Sequence, residues 1–185
     1  MILFGLAGSG ILLLGAVLLF LAFAPGGNGD EELARTIRDA GGTFQTSKSE
    51  GRDHVEDLNA KIDYKTDPPT SGKHYFIPAV WGIYERPINQ LQAVHNLEHG
   101  GIVIQYGDDV PDATVAQIAE FYRDDPNGML VAPLPRLGDQ IALTAWTHLA
   151  KLPKFDEGAF KAFRDAYRGK GPERFSVEDL QPGGT

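Results

Sequence analysis

The chain has 185 residues, 42% of them hydrophobic, and its 17 Lys and Arg against 25 Asp and Glu give a formal net charge of −8. This length is sufficient for one domain with a buried core. The negative charge argues against nucleic acid as a partner, because a phosphate backbone requires a basic surface. Cysteine is absent, which excludes disulfides, thiolate metal ligands, a thiol nucleophile and covalently attached haem.

The N-terminal segment from Ile2 to Ala24 carries no charged side chain. As a helix it would be about 35 Å long, enough to cross the hydrocarbon core of a membrane. Two interpretations stay open: a signal peptide cleaved after Ala24, and an uncleaved anchor, which we favour because a basic leader is missing. Acidic residues follow this segment and Arg35 is the first basic residue, so we expect the rest of the chain to lie outside the cytoplasm.

Small residues within this segment, among them Gly5, Gly8 and Gly15, would let another transmembrane helix approach closely. The expected partners are therefore the membrane, through residues 2–24, and other membrane-protein subunits. The expected organisation is an anchor over residues 1–24, a linker and short helix over 25–42, an extracytoplasmic α+β domain over 43–175, and a tail over 176–185.

Sequence patterns predict helices and strands in an irregular order. Helices are predicted over residues 31–40, from the N-cap Asn89 to His99, after Pro111, and after the N-cap Asp156. Strands are predicted over residues 102–106, 129–133 and 140–148, with weaker strand character over 61–64. The expected fold class is α+β, a small mixed sheet with three or more helices, preceded by one N-terminal transmembrane helix.

The segment His95-Asn96-Leu97-Glu98-His99-Gly100-Gly101 carries the strongest chemical signal in the chain. In a helix, residues i and i+4 share a face, so His95 and His99 could hold one ion together. In a strand they would stand about 13 Å apart, too far to chelate. Gly100 is where such a helix would end, because glycine tolerates the left-handed cap conformation.

Several stretches together resemble the bacterial family named domain of unknown function 3105. They are Pro68-Pro69-Thr70-Ser71-Gly72-Lys73-His74, the segment from His95 to Gly101, Ala142-Leu143-Thr144-Ala145-Trp146, and Asp53-His54-Val55. The resemblance covers roughly residues 45 to 170 and implies a single-span or secreted extracytoplasmic domain, without an established activity. With the apolar segment, it predicts a single-pass protein of a bacterial inner membrane whose C-terminal domain is periplasmic or extracellular. An accessory subunit of a respiratory or photosynthetic complex would fit this description.

The histidines at these motif positions are candidate metal ligands, because they come from three separated segments, as the ligands of folded metal sites often do. Imidazole and thioether ligands without cysteine suit copper, and imidazole alone also suits zinc. The candidate ligands are His54, His74, His95, His99 and Met129, with Glu98 and Trp146 beside them. The alternative is that the histidines brace loops through ordinary hydrogen bonds, that Met129 fills the core, and that the protein is a structural scaffold without a metal.

An enzymatic alternative also stays open. His95-x-x-Glu98-His99 matches the inverted zinc-protease pattern, in which two histidines bind zinc and the glutamate activates water. That pattern requires a third ligand on a long following helix, whereas Gly100-Gly101 and a strand follow here. No nucleophile elbow, phosphate loop or dinucleotide fingerprint is present. We therefore assign no catalytic residue and favour a non-enzymatic accessory or binding domain over a zinc hydrolase.

Overall fold

The computed structural model describes residues 28–185, which form a mixed α+β fold. The helices are α1 (Asn28–Asp39), α2 (Gln90–Glu98), α3 (Asp112–Asp124) and α4 (Glu157–Tyr167), with 3₁₀ turns at Pro135–Leu137 and Val177–Asp179. The strands are β1 (Thr43–Thr46), β2 (His54–Val55), β3 (His74–Tyr75), β4 (Ile102–Tyr106), β5 (Met129–Pro133), β6 (Ile141–Ala145) and β7 (His148–Leu152).

Five strands form the main sheet in the order β1-β7-β6-β4-β5. Strands β4 and β5 run parallel, and the other neighbouring pairs are antiparallel. The parallel pair requires a crossover connection, which α3 provides. The predicted α+β class with a small mixed sheet is therefore confirmed for the described residues.

The two faces of this sheet carry different layers. On one face, alternate residues such as Ile104, Met129 and Leu143 join a core cluster with Ile37 of α1 and Phe163 of α4. On the other face, a second cluster lies beneath α2 and the loop that precedes it. Its buried members include Trp81, Ala93, Leu97, Val103, Leu130 and Ala132. The second layer is the one that positions the candidate site.

Local sequence signals locate two helices well. Asn89 caps α2 as predicted, with its side chain accepting a hydrogen bond from the backbone N–H of Leu91 at 2.8 Å. Asp156 caps α4 in the same way, accepting from Ala159 at 2.9 Å. The rings of Phe155 and Phe160 flank that cap with centroids 4.7 Å apart, the contact expected of a hydrophobic staple.

The strand predicted over residues 140–148 is wrong as a single strand. The structure has two antiparallel strands, β6 and β7, joined by a tight hairpin at Trp146 and Thr147. Thr147 makes the turn with φ of 65°, a conformation more typical of glycine or asparagine, so composition gave no turn signal. The strand character over residues 61–64 is also wrong, because these residues form no strand. The strand that pairs with β7 at its edge of the sheet is β1, which is polar.

No helix among residues 28–185 is long and apolar enough to span a membrane. The predicted anchor, residues 2–24, lies outside the described residues. The helix predicted over 31–40 is present, but it begins earlier, at Asn28, within the predicted linker.

Trp81 ties the C-terminal residues to the second layer. Its backbone N–H donates to the carbonyl of Gly184, and its carbonyl accepts from the N–H of Gly183, both at 2.9 Å. The ring of Trp81 packs directly over Gly101, where an added Cβ would lie 2.1 Å from Cη2. The absence of a side chain at Gly101 is therefore what lets the indole lie against the end of α2.

Gly101→Ala is expected to destabilise the fold by about 3 kcal/mol, because the indole cannot move without displacing buried neighbours. In a chain of this size that corresponds to a fall in Tm of roughly 6–12 °C, measurable by thermal unfolding of the full-length protein in detergent. Gly82→Ala is the matched control, because nothing lies within 4 Å of a Cβ added there. Similar Tm values for the two variants would contradict the packing argument.

Candidate metal centre

Helix α2 is buried on almost all sides toward its C-terminal end. Leu97 packs in the second core cluster, against the sheet. The side chain of Asn96 binds the preceding loop with two hydrogen bonds: it donates to the carbonyl of Ala79 at 2.8 Å and accepts from the N–H of Ala79 at 2.9 Å. With the helix held this way, His95 and Glu98 project toward the loops that contain β2 and β3. Both side chains are buried.

Strands β2 and β3 bring two further histidines to this position. They pair in parallel with His54 opposite His74. The N–H of His74 donates to the carbonyl of Asp53 at 3.1 Å, and the N–H of Phe76 donates to that of Val55 at 3.3 Å. The centroids of the His54 and His74 rings are 4.8 Å apart as a result.

The hydrogen bonds of His74 determine which of its nitrogens faces the cluster. Nδ1 lies 2.8 Å from the carbonyl oxygen of Gly72, which can only accept, so Nδ1 carries the hydrogen. Nε2 lies 2.9 Å from Oε2 of Glu98. His74 is completely buried and Glu98 is 2% exposed, so a proton or a cation is needed between these two atoms.

His95 is oriented in the same way. Its Nδ1 donates to the carbonyl of Tyr75 at 2.8 Å, which leaves Nε2 as the nitrogen with a free lone pair. Burial lowers the pKa of His95, although the hydrogen bond to Tyr75 opposes the shift, so the site favours the neutral form of the ring. Its ring centroid lies 4.8 Å from that of His74 and 4.9 Å from that of His54.

These side chains form a group in which one ligand atom from each residue lies within 4.8 Å of all the others. The group comprises His54, His74, His95 and Glu98. Ligand atoms around a tetrahedral zinc ion are about 3.3 Å apart, given bond lengths of 2.0–2.1 Å. Small side-chain rotations would therefore bring these four atoms to the spacing that zinc requires. Backbone carbonyls that orient two of the imidazoles are the outer partners that metal-binding histidines usually have.

The group is closed by protein on most sides and open at one. His54 is 44% exposed, and its Nε2 lies 3.5 Å from Oε2 of Glu98. Arg52 approaches the other oxygen, Oε1, at 3.8 Å from outside. A cavity of about 430 Å³ lined by His54, Glu56 and Phe76 adjoins this opening. An ion entering from solvent would therefore meet His54 first.

A second group overlaps the first and contains His95, His99 and Glu173, again with ligand atoms within 4.8 Å. His99 is the C-cap of α2, and its ring centroid lies 4.6 Å from that of His95. Its Nε2 lies 3.2 Å from Oε2 of Glu173, and its Nδ1 is buried without a hydrogen-bond partner among the described residues. The ring of Phe175 covers His99 at a centroid distance of 4.3 Å.

Glycines bring Glu173 to this position. The N–H of Gly169 donates to the carbonyl of Gly100, and the N–H of Glu173 donates to that of Glu98. A Cβ at Gly171 would lie 2.2 Å from the carbonyl oxygen of Glu98, so only glycine permits this approach. Sequence reasoning missed Glu173, because an isolated glutamate in a glycine-rich segment far from the histidines gives no ligand signal.

Two other predicted site residues take different positions. Met129 is completely buried in the first core cluster, beside Ile102, on the sheet face opposite α2. The structure therefore does not bring Met129 to the histidines, because the strand directs its side chain to the other face. Trp146 lies next to His74, edge to face, with centroids 6.3 Å apart. The fifth histidine, His148, belongs to neither ligand group and stacks on Tyr167.

The arrangement of Glu98 differs from that of the inverted zinc-protease pattern. In that pattern the two histidines share the ion and the glutamate beside them activates water. Here the carboxylate of Glu98 contacts His74 and His54, and the carboxylate next to His99 belongs to Glu173. The carboxylate of Glu98 therefore belongs to the group that could hold a metal ion and is paired with two imidazoles.

Burial, reinforced by His95, lowers the pKa of His99 from 6.5 to about 4, against the opposing effect of Glu173. Between these two pH values the unfolded chain binds a proton at His99 that the folded chain excludes, so the free energy of unfolding falls as the pH is lowered through this range. In the metal-free protein, His99→Gln should reduce this pH dependence by up to about one proton near pH 5. Chemical unfolding at pH 7, 6 and 5 measures it, and equal slopes in variant and wild type would contradict the assignment.

A protein-family match covers most of the chain. Residues 54–179 match the family described as Protein of unknown function (DUF3105), a range that contains both carboxylates and all four clustered histidines. No curated protein and no solved structure matches the chain. The chain therefore belongs to the DUF3105 family, as the resemblance in its sequence predicted.

Proposed function

We propose that this protein binds one divalent transition-metal ion through His54, His74, His95 and Glu98. The observation that carries the proposal is the pair of hydrogen bonds from Nδ1 of His74 and of His95 to backbone carbonyls. These bonds direct both Nε2 atoms into the cluster, where that of His74 lies 2.9 Å from the buried carboxylate of Glu98. Neutral imidazoles and a carboxylate are what such an ion binds, and the ion supplies the positive charge that Glu98 requires.

The donor set narrows the choice of metal. With Met129 on the other face of the sheet, the group offers three nitrogens and one carboxylate but no sulfur. Zinc and copper(II) accept imidazole and carboxylate ligands, whereas copper(I) prefers thiolate and thioether. We therefore propose zinc first and copper(II) second. A scaffold role without metal is the competing proposal, supported by the fact that the same hydrogen bonds brace the loops at Gly72 and Tyr75.

Full-length protein in detergent, stripped with a chelator and reloaded with zinc, should retain about one equivalent after gel filtration. At free zinc 100 times the Kd, binding should raise the free energy of unfolding by about 2.7 kcal/mol. His74→Gln and Glu98→Gln should each weaken zinc affinity by about 100-fold or more, since each removes a ligand that no neighbour replaces. Elemental analysis and zinc titration measure these effects.

His148→Gln is the matched control, because His148 is partly buried but lies outside the cluster. It should keep the wild-type stoichiometry and affinity. Failure of the wild-type protein to retain zinc or copper(II), with no change in Tm on loading, would favour the scaffold role.

We further propose that residues 2–24 anchor the domain in a bacterial inner membrane, with the metal-binding domain on the periplasmic or extracellular side. The uncharged apolar segment and the acidic residues after it support this arrangement. The small residues in the segment support packing against other membrane subunits, in a respiratory or photosynthetic complex. An accessory, non-enzymatic role is the one we favour.

Extraction of membranes from the native host in mild detergent, followed by native electrophoresis, tests this association. The protein should remain with membranes after a high-salt or carbonate wash and should then migrate with other subunits. A Gly8→Leu, Gly15→Leu double variant should stay in the membrane but lose its partners, because the larger side chains prevent close helix contact. Recovery of wild-type protein in the soluble fraction would contradict the anchor, and migration as a lone monomer would contradict the complex.

A further inference from the structure

The two candidate groups have one ligand in common. His54, His74, His95 and Glu98 form the group that we call the inner position, and His95, His99 and Glu173 form the one that we call the outer position. The rings of His54, His74 and His95 form a triangle with centroids 4.8–4.9 Å apart, and the ring of His99 lies 4.6 Å from that of His95. His95 is therefore the residue that joins the two positions.

The shared histidine can serve only one ion at a time. Nδ1 of His95 donates to the carbonyl of Tyr75, so a single lone pair, on Nε2, remains for a metal. An imidazole bridging two ions would need both nitrogens deprotonated, which this hydrogen bond opposes. The two positions are therefore alternatives for one ion.

The outer position has the features of a point of exchange. It offers three ligands against four, so an ion is held less firmly there than at the inner position. The side chain of Glu173 is 39% exposed, and so is Phe175, which covers His99. Because neither side chain is enclosed by protein, both can rotate away and open His99 to solvent. The Nδ1 atom of His99 is buried without a hydrogen-bond partner among the described residues, so a second nitrogen of that ring is available to bind an ion there.

We propose that one metal ion enters at His54, moves from the inner to the outer position while His95 remains bound to it, and leaves through His99 and Glu173. This inference rests on the proposed function and adds a route of transfer to it. The side of the domain at Glu173 is then where the ion is released.

Zinc transfer from the loaded full-length protein to a chromophoric chelator, followed by stopped-flow absorbance, tests the route. In Glu173→Gln the Kd for zinc should stay within about twofold of wild type, because the inner ligands are unchanged. The transfer rate should fall by about tenfold or more, because the ion must leave without the carboxylate that stabilises it on the way out. His99→Gln should slow transfer in the same direction.

Glu178→Gln is the matched control, since Glu178 is an exposed carboxylate near the same loop and belongs to neither group. Its transfer rate should equal that of wild type. Binding of two zinc ions at once would overturn the shared-ligand argument, and a wild-type rate in Glu173→Gln would place the exit at His54. Failure of the wild-type protein to bind zinc would instead contradict the proposed function itself, so the two failures are distinguishable.

Discussion

The carboxylate of Glu98 is the constraint around which this domain is arranged. It is 2% exposed, and a buried carboxylate must be paired or must hold a cation. Its nearest partner is Nε2 of His74 at 2.9 Å, in a ring whose other nitrogen donates to the carbonyl of Gly72. That ring, if neutral, has no hydrogen to offer Glu98. A positive charge is therefore needed at this point, from a proton between the two groups or from a bound ion, and the metal-binding proposal takes the second alternative.

The fold meets this requirement by bringing together ligands from three separate parts of the chain. Helix α2 contributes His95 and Glu98, and Leu97 holds the helix against Val103 and Leu130 of the sheet. The other ligands come from the short β2–β3 pair and from the loop after α4. The β2–β3 pair meets α2 through the contacts of His74 with Glu98 and of His95 with the carbonyl of Tyr75, and the loop is joined to α2 by the backbone hydrogen bond from Glu173 to Glu98.

His95 belongs to both the inner and the outer position. One backbone hydrogen bond to Tyr75 orients its ring, selects its tautomer and limits it to a single metal. Two ligand groups that share such a residue cannot both hold an ion at the same time, and this applies to zinc and to copper(II) alike. The competing scaffold role uses the same contacts, with Glu98 paired to His74, but it leaves the buried Nδ1 of His99 without a hydrogen-bond partner among the described residues.

The sequence by itself determined most helices, the strands β4 and β5, the caps at Asn89 and Asp156, and the candidacy of four histidines, because these depend on local patterns and short spacings. The tertiary structure alone decided which side chains meet. It placed Met129 on the far face of the sheet, because alternate strand residues point to opposite sides. It also brought Glu173 to His99 through glycine contacts between distant segments and made Glu98 a direct neighbour of His74. Such pairings depend on long-range packing, which leaves no periodic trace along the chain.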